Sequence, residues 1–299
     1  MSDMGRREFM SRAAALAAAS MMGGRVLAAD GSLTGATTRP AGSIRRASDT
    51  IVLGRSGIRT SRLALGTGTR GVRQSELGQR AILKLFRHAL DHGVRWWDVA
   101  DAYRIHPIVR ATLRQIPRDQ VVITSKTRAK DAAGARADIE RFRKELGVDS
   151  IDILLLHCMT DADWPNALRG AMDVLSEAKQ KGIVRAVGCS YHDFGALKAA
   201  ADEEWVDVSL ARINPFAVLT DVDRSQEVPQ IVETLTTMRR RGKGVYGMKI
   251  LGEGRLNSEQ VDESLRFTLK QDCLDGFVIG FLSITEFDDL LARIERVQA

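Results

Sequence analysis

Cysteine is scarce in this sequence, and the few cysteines are not arranged in pairs. The chain of 299 residues has three, Cys158, Cys189 and Cys273, an odd number without the spacing of a metal site. A secreted protein held together by disulfides would carry an even set. We therefore expect free, mostly buried thiols and exclude a disulfide framework.

The sequence also has no basic residues clustered with aromatic residues and no apolar run long enough to cross a membrane. Hydrophobic residues make up 44% of the chain and charged residues 27%, which argues against a membrane bundle and against disorder. The net charge of +6 would suit a nucleic-acid-binding protein, but the basic residues are scattered along predicted helices. We expect neither a nucleic-acid partner nor a stable membrane span.

The first 30 residues differ in composition from the rest of the chain. Arg6 and Arg7 precede an alanine-rich, weakly apolar stretch over residues 13–22, and small residues follow near Ala28. This arrangement resembles a twin-arginine export signal, with an amphipathic first helix or a transit peptide as the alternative. We predict a signal peptide over 1–30, the twin-arginine translocase as a partner, and a periplasmic or secreted location.

Residues 31–48 are rich in Gly, Ser, Thr and Ala and are predicted to form a flexible linker. The remaining domain, residues 49–299, begins with a predicted β-hairpin over 50–60. Strand and helix patterns then alternate to the end of the chain. The predicted strands are 62–66, 94–98, 121–125, 151–156, 184–189, 206–212, 244–248 and 276–280. The predicted helices are 80–92, 135–146, 166–181, 194–203, 228–241, 258–271 and 285–297.

Eight strands separated by helices predict a parallel sheet closed as a (β/α)8 TIM barrel, with the hairpin covering its floor. An open doubly wound sheet is the alternative. The run from Gly66 to Gly71 fits the glycine pattern of a dinucleotide-binding loop only loosely. The next predicted helix begins too late to hold a phosphate there, which favours the barrel.

Polar residues stand at or just beyond the ends of three predicted strands. Asp98 ends one strand with Tyr103 five residues later, Lys126 ends the next, and His157 ends a third. The carboxyl ends of barrel strands meet at one rim, where barrel enzymes carry out their chemistry. The four side chains form a proton-transfer set. Taken singly, the lysine could instead form a Schiff base and the histidine could bind a metal.

Seven motifs, three of which contain the four rim residues, make the chain resemble the aldo-keto reductase family from about residue 53 onward. They are LGRSGIRTSRLALGTG from Leu53, D-x-A-x-x-Y at 98–103, SK at 125–126, DILLLH at 152–157, VGCS at 187–190, INPF at 213–216 and KILGEG at 249–254. The resemblance implies a barrel that binds NADP or NAD at its carboxyl rim. It also implies reversible hydride transfer to a small-molecule aldehyde or ketone, without a catalytic metal.

The same resemblance assigns roles to the four rim residues. Tyr103 is implied to be the general acid, Lys126 and Asp98 adjust its acidity, and His157 orients the carbonyl. A lysine ammonium favours the phenolate form of a nearby tyrosine, so we expect Lys126 to lower the pKa of Tyr103. A histidine that donates a hydrogen bond to the carbonyl oxygen would need a defined tautomer.

The resemblance also implies a set of cofactor-binding residues, with several departures from the family pattern. The implied residues are Gly66, Thr67, Gly68, Ser190, Met248, Lys249, Leu251, Gly252 and Gly280. Two amides that relatives use are replaced by Tyr191 and Leu210, and Met248 stands where an aromatic residue often stacks on the nicotinamide. Where many relatives place cations for the 2′-phosphate, this chain has Leu282, Ser283 and the acid Glu286, so NADP preference is not supported.

Three residues in the rim loops have no role assigned by the motifs. Arg104 and His106, just after Tyr103, are expected to be solvated or to receive an acidic substrate, and Trp164 is a candidate pocket wall. For the whole chain we predict an NAD(P)H-dependent carbonyl oxidoreductase. The alternative is a cofactor-binding barrel that acts as a redox-sensing or binding subunit with little turnover.

Overall fold

The computed structural model describes residues 44–68 and 77–299. The predicted signal peptide, most of the predicted linker, and the end of the glycine-containing run after strand 62–66 lie outside the described residues. The boundary at residues 48 and 49 stays a prediction, but residues 44–48 already lie against the barrel. Ala47 is buried, and the backbone N–H of Arg45 donates to Oε1 of Gln298 at 2.8 Å.

The N-terminal hairpin consists of β1 (Thr50–Val52) and β2 (Arg59–Ser61), which pair antiparallel. A short 3-10 turn at Gly54–Ser56 reverses the chain and ends at Gly57, whose φ of 67° is readily adopted by glycine. Ile51, Leu53 and Ile58 project from the hairpin into the apolar interior of the barrel. The predicted floor of the barrel is therefore confirmed.

The eight other strands are parallel and form a closed barrel. They are β3 (Leu63–Gly66), β4 (Trp96–Asp98), β5 (Val122–Thr127), β6 (Ile151–Met159), β7 (Val184–Tyr191), β8 (Val208–Arg212), β9 (Gly244–Met248) and β10 (Gly276–Gly280). They follow one another in chain order around the ring, and β10 pairs with β3 to close it. The (β/α)8 fold and the eight predicted strands are confirmed, with small shifts at the strand ends.

Helices cover the outside of the barrel. In the described residues they are α1 (Gln79–Asp91), α2 (His106–Leu113), α3 (Ala132–Leu146), α4 (Trp164–Ala167), α5 (Arg169–Gln180), α6 (Phe194–Asp202), α7 (Val228–Arg240), α8 (Ser258–Lys270) and α9 (Ile284–Arg296). Side chains cap several of them; for example, Asp131 accepts from the backbone N–H of Gly134 at the start of α3. Within the described part of the chain, no helix is both long and apolar enough to cross a bilayer.

The helix α2, which contains Pro107, is absent from the predicted helices. In the structure this proline occupies the first turn of α2, where its missing N–H costs no hydrogen bond. The predicted helix 166–181 also differs, since it is divided at Leu168 into α4 and α5. Both differences concern the short segments that follow catalytic strands.

The two adjacent tryptophans of β4 show how the core is divided into two layers. Trp96 points into the barrel and packs against Tyr246 with ring centroids 4.5 Å apart. Trp97 points outward and meets Phe86 of α1 edge to face at 4.6 Å. The two rings lie on opposite sides of the sheet because successive strand residues face opposite sides.

Buried aspartates at or just before the amino ends of three strands hold the floor of the barrel. Asp152, Asp207 and Asp275 each accept a hydrogen bond from a backbone N–H of a neighbouring strand, at 2.9, 3.1 and 2.9 Å. Each carboxylate is also paired with a lysine or arginine side chain. These contacts fix the register of adjacent strands at the end opposite to the catalytic rim.

Candidate active site

The four predicted catalytic residues meet at the carboxyl rim of the barrel. Asp98 is the last residue of β4, and Lys126 and His157 lie near the ends of the next two strands. Tyr103 closes a 3-10 turn just after β4. Asp98, Lys126 and His157 are 3%, 1% and 9% exposed. These three side chains are therefore almost fully shielded from solvent, whereas Tyr103 is partly buried.

Asp98 and Lys126 form a buried ion pair in which both groups have further partners. The ammonium of Lys126 donates to Oδ1 of Asp98 at 2.6 Å and to the carbonyl oxygen of Val99 at 2.9 Å. The second carboxylate oxygen of Asp98 accepts from the hydroxyl of Tyr246 at 2.9 Å. A buried pair is stable only when its remaining polar atoms are bonded, and here Tyr246 and Val99 supply those bonds.

Tyr246 is a residue of the site that the sequence analysis did not assign. It comes from β9, three strands from β4 around the ring, and reaches through the barrel interior to Asp98. Its position two residues before Met248 places both on the inward face of β9. Strand alternation could therefore have indicated an inward tyrosine, although not its partner.

The ion pair keeps Lys126 charged. Burial by itself lowers the pKa of Lys126, but the negative charge of Asp98 and the hydrogen bond that Lys126 donates to it act in the opposite direction. The resulting pKa lies above the ordinary value for lysine. A positive charge is thus held below the ring of Tyr103, with Nζ 5.1 Å from the ring centroid.

The tyrosine itself differs from expectation in one respect. Lys126 does lower the pKa of Tyr103, but burial raises it by more, so that the pKa lies above the ordinary tyrosine value. The prediction of a lowered pKa was therefore wrong. Removal of the phenol from water disfavours the phenolate more than one lysine, already paired with Asp98, favours it. Tyr103 is protonated at neutral pH and can donate.

His157 faces Tyr103 across the mouth of the barrel. Its Nε2 lies 3.5 Å from the tyrosine hydroxyl, and the two rings meet edge to face at 5.6 Å. Burial, followed by the positive charges of Lys126 and Arg128, lowers the pKa of His157 to about 3. The imidazole is therefore neutral. Its Nδ1 is buried and has no hydrogen-bond partner among the described residues.

An irregularity in β6 sets the direction of His157. The register with β7 shifts between Leu156 and Met159, and Cys158 adopts a positive φ of 69°. The backbone N–H of Cys158 donates to Oγ of Ser190 at 2.8 Å, which holds the bend. Such bulges reorient side chains next to active sites. Ser190 is fully buried, and its predicted contact with a cofactor stays a prediction.

The segment after β3 supports the catalytic residues from below. Thr67 donates to the carbonyl oxygen of Asp98 through its backbone N–H at 3.1 Å and its hydroxyl at 2.9 Å. A Cβ on Gly68 would lie 2.5 Å from Cζ of Tyr103, and one on Gly66 would lie 2.8 Å from Cγ2 of Val278. All three residues have structural roles beside the site, and their contact with a cofactor stays a prediction.

Two expectations about the rim loops were wrong. His106 is buried at 1% exposure, and its ring nitrogens pair with Glu145 and Ser125, both at 2.9 Å. It therefore holds α2 against β5 and does not face solvent. Trp164 is also buried, with its indole N–H donating to the carbonyl oxygen of Ala196 at 3.1 Å, so it belongs to the helical layer and not to a pocket wall.

A cavity of about 350 Å³ lies beside the rim, between the loop after β9, the end of β10, and helices α8 and α9. Three of the predicted cofactor residues, Lys249, Leu251 and Gly280, line it. A fourth, Gly252, has a φ of 54° and adjoins Val218 so closely that a side chain there would require a shift. Met248 ends β9 next to this loop and packs partly buried at the mouth of the barrel interior.

The charges around the cavity are acidic or already paired. Lys249 forms an ion pair with Glu253. Arg293 is bound by Asp289 at 2.7 Å and Asp262 at 3.1 Å. At the start of α9, the carboxylate of Glu286 accepts from the backbone N–H of Leu282 at 2.8 Å.

The two residues that replace family amides are buried in the core. Tyr191 points into the outer core, where its hydroxyl lies 3.2 Å from Oγ of Ser209, and Leu210 lies inside the barrel. Even so, three residues implied to bind the cofactor, Lys249, Leu251 and Gly280, line one cavity that begins one residue beyond Met248, and this arrangement fits a cofactor bound beside the rim. The amide contacts are fewer than the family pattern implies.

Comparison with known proteins agrees with this geometry. The model of the aldo/keto reductase family matches residues 62–297. A D-threo-aldose 1-dehydrogenase from a Pseudomonas species is 24% identical over 61% of this chain and 63% of its own length. A 2,5-diketo-D-gluconic acid reductase B from a Corynebacterium species is 30% identical over 50% of this chain and 54% of its own length.

Among solved structures, a Pseudomonas aeruginosa protein assigned to the aldo-keto reductases has a TM-score of 0.71 and 22% identity. The match covers 86% of this chain and 99% of that chain. At this identity the likeness shows the fold alone. The chain spans less than two thirds of the length of the two curated relatives described above.

Proposed function

The chain belongs to the aldo/keto reductase family, and we propose that it is an oxidoreductase that uses NADPH or NADH to reduce an aldehyde or ketone, or oxidises the corresponding alcohol. The observation that supports this most strongly is the arrangement around Tyr103. A protonated phenol, a neutral imidazole and a buried lysine–aspartate pair converge at the mouth of the barrel. These are the groups that carbonyl reduction requires.

The reaction places negative charge on the carbonyl oxygen, and this chain can neutralise it. A bound nicotinamide cofactor would supply the hydride. A carbonyl oxygen between Tyr103 and His157 would receive the proton of the phenol and a hydrogen bond from Nε2. For that bond Nε2 must carry the ring hydrogen, which leaves Nδ1 unprotonated, and no described residue contacts Nδ1 as a donor.

The lysine–aspartate pair prepares Tyr103 to lose its proton. As the proton leaves, the phenolate develops next to the ammonium of Lys126, which stabilises it electrostatically. Asp98 keeps the ammonium fixed at 2.6 Å, and Tyr246 fixes Asp98 in turn. Burial raises the pKa of Tyr103, so the tyrosine is protonated in the resting state. The ammonium of Lys126 therefore stabilises the tyrosine most while the phenolate forms.

We infer that the protein does not strongly prefer NADPH over NADH. A 2′-phosphate binds to unpaired cations or to free helix N–H groups. In the cavity Lys249 and Arg293 are already bound to carboxylates, and the carboxylate of Glu286 already occupies the N–H of Leu282. We expect any preference for NADPH to stay below about 100-fold, which corresponds to roughly 3 kcal/mol.

Steady-state kinetics test the proposed function. The purified protein is assayed with a panel of small aldehydes and ketones and either cofactor, while cofactor binding is followed by nicotinamide fluorescence. Turnover that requires Tyr103 supports the proposal. Cofactor binding without turnover of any carbonyl would favour the redox-sensing or binding subunit, and the absence of binding would refute both.

We also propose that residues 1–30 direct export through the twin-arginine translocase. The support is the Arg6–Arg7 pair before a weakly apolar stretch. That route would carry the barrel already folded, with its cofactor bound. Replacing both arginines by lysine preserves the charge and should retain the precursor in the cytoplasm with normal activity in the lysate. Processed double-lysine protein in the periplasm would contradict the proposal.

A further inference from the structure

Two histidines and an aspartate meet on the outer helical layer of the barrel. His88 and His92 lie at the carboxyl end of α1, and Asp288 lies in α9. One potential ligand atom of each lies within 4.8 Å of the others. We propose that these three side chains bind a divalent transition-metal ion such as Zn²⁺, at a site separate from the catalytic cluster.

The position of the site follows from how the barrel closes. His88 and His92 are four residues apart, so one helical turn places both imidazoles on the same face of α1. The helix α9 lies next to α1, because β10 pairs with β3 at the point where the ring closes. An ion bound there would join the first described helix of the barrel to the last one.

The hydrogen bonding of His92 leaves its Nε2 available to bind a metal ion. Its Nδ1 lies 2.8 Å from the backbone carbonyl oxygen of His88. A carbonyl oxygen can only accept, so Nδ1 carries the ring hydrogen and the lone pair of the neutral ring is on Nε2. Histidines that bind metals through one nitrogen commonly donate the other N–H to a carbonyl or carboxylate in this way.

The other two ligands contact each other, and both imidazole rings pack against an aromatic side chain. Nε2 of His88 lies 2.6 Å from Oδ1 of Asp288, so a metal ion would take the place of the hydrogen that they share. The rings of His88 and His92 lie 4.3 Å apart, and both meet the buried ring of Phe287 edge to face, at 5.6 and 5.9 Å. Small rotations of these rings would bring the three potential ligand atoms, which lie within 4.8 Å of one another, to a common ion.

The donor set selects the class of ion. Two imidazoles and one carboxylate favour Zn²⁺ and its neighbours over Ca²⁺ and Mg²⁺, which prefer oxygen ligands. The side chains of His88 and Asp288 are 26% and 50% exposed, so the ion can enter from solvent and water can complete its coordination. At the helical surface such an ion would stabilise the fold and would not touch the reacting groups.

A second cluster of similar composition is unsuited to binding a metal ion, because its side chains already have partners. Asp101, His106 and Glu145 also lie close together. Both nitrogens of His106 are hydrogen-bonded within the protein, and the guanidinium of Arg141 already binds both carboxylates. The position of a cation is thus occupied by Arg141, whereas no arginine or lysine pairs with Asp288 in the described part of the chain.

Calorimetric titration with ZnCl₂ tests the proposal, using chain purified without a polyhistidine tag and first treated with a chelator. The expected result is binding of one ion per chain, accompanied by a higher melting temperature. His92→Ala is the deciding variant, because it leaves the hydrogen bond between His88 and Asp288 intact. It should weaken binding by at least about tenfold and abolish most of the thermal shift.

Two further variants distinguish the loss of a metal ligand from the loss of a surface charge. Asp288→Asn keeps an acceptor for His88 but removes the anionic ligand, and should weaken binding to a similar degree. Asp91→Asn removes an exposed charge from the same helix without removing a ligand, and should change affinity by less than about threefold. The proposal is overturned if Zn²⁺ does not bind, or if binding survives both His92→Ala and Asp288→Asn.

Discussion

Asp98 and Asp152 are buried to nearly the same degree, 3% and 4% exposed, at opposite ends of the barrel. At the floor, Asp152 accepts from the backbone N–H of Ile123 and from two guanidinium groups, so it holds two strands together. At the rim, the carboxylate of Asp98 binds the side chains of Lys126 and Tyr246. The same residue type serves stability at the floor and charge control at the rim, because the rim carboxylate holds a lysine beside the reacting tyrosine.

The largest effect should come from the proton donor at the rim. Tyr103→Phe removes the hydroxyl that faces His157 and should lower kcat for aldehyde reduction by at least about 100-fold, the scale of general acid catalysis. The melting temperature and the affinity for the cofactor should stay nearly unchanged. Turnover equal to that of the wild type would show that the rim is not the catalytic end.

The floor should respond in the opposite way. Asp152→Ala leaves the N–H of Ile123 buried without a partner, which should lower the free energy of unfolding by about 1 to 3 kcal/mol. The change is measured by urea denaturation, and kcat is measured at a temperature where both proteins are folded. A loss of kcat with unchanged stability would remove the distinction between the two ends.

Tyr246 tests whether a hydrogen bond from inside the barrel to Asp98 contributes to catalysis. Tyr246→Phe deletes the hydrogen bond to Asp98 and should lower kcat by about tenfold, equivalent to one buried hydrogen bond to a charged group. Tyr191→Phe is a matched control, because its hydroxyl is equally buried but contacts Ser209 in the outer core. If both variants lose the same activity, the effect is general destabilisation.

The cofactor side of the rim should show a smaller change. Glu286→Gln removes the negative charge that occupies the N–H of Leu282, and should tighten NADPH binding by about three- to tenfold, the scale of a charge at a helix start. NADH binding should change less. Glu295→Gln, at the other end of the same helix, is the control. An equal effect of both variants would mean that only net charge matters.

The smallest expected effect is that of pH. The pKa of His157 is about 3 and that of Tyr103 lies above its ordinary value near 10, so neither group changes protonation between about pH 5 and 9. With saturating cofactor, kcat for reduction should be nearly flat over that range and fall only above it, as Tyr103 loses the proton that it must donate. A titration near pH 6.5 would indicate a protonated His157.

Much of the site could be predicted from sequence, because barrel strands display their last polar residues at one rim. Asp98, Lys126 and His157 come from adjacent parallel strands, so their meeting follows from strand order alone. Tyr246 could not be assigned in this way, because its partner is 148 residues away in the chain and three strands away around the ring. His106 was misread for a related reason: a polar residue in a loop is expected to be exposed unless its partners are known.

The sequence by itself determined the order of strands and helices, the hairpin at the floor, and the residue types gathered at the rim. Periodicity of apolar residues encodes these features locally. Only the tertiary structure decided which way each group titrates, because a pKa depends on burial and on charges from other strands. It raised the pKa of Tyr103 where proximity to Lys126 alone predicted a decrease. It also brought together His88, His92 and Asp288, since closure of the ring places the first and last helices of the barrel side by side.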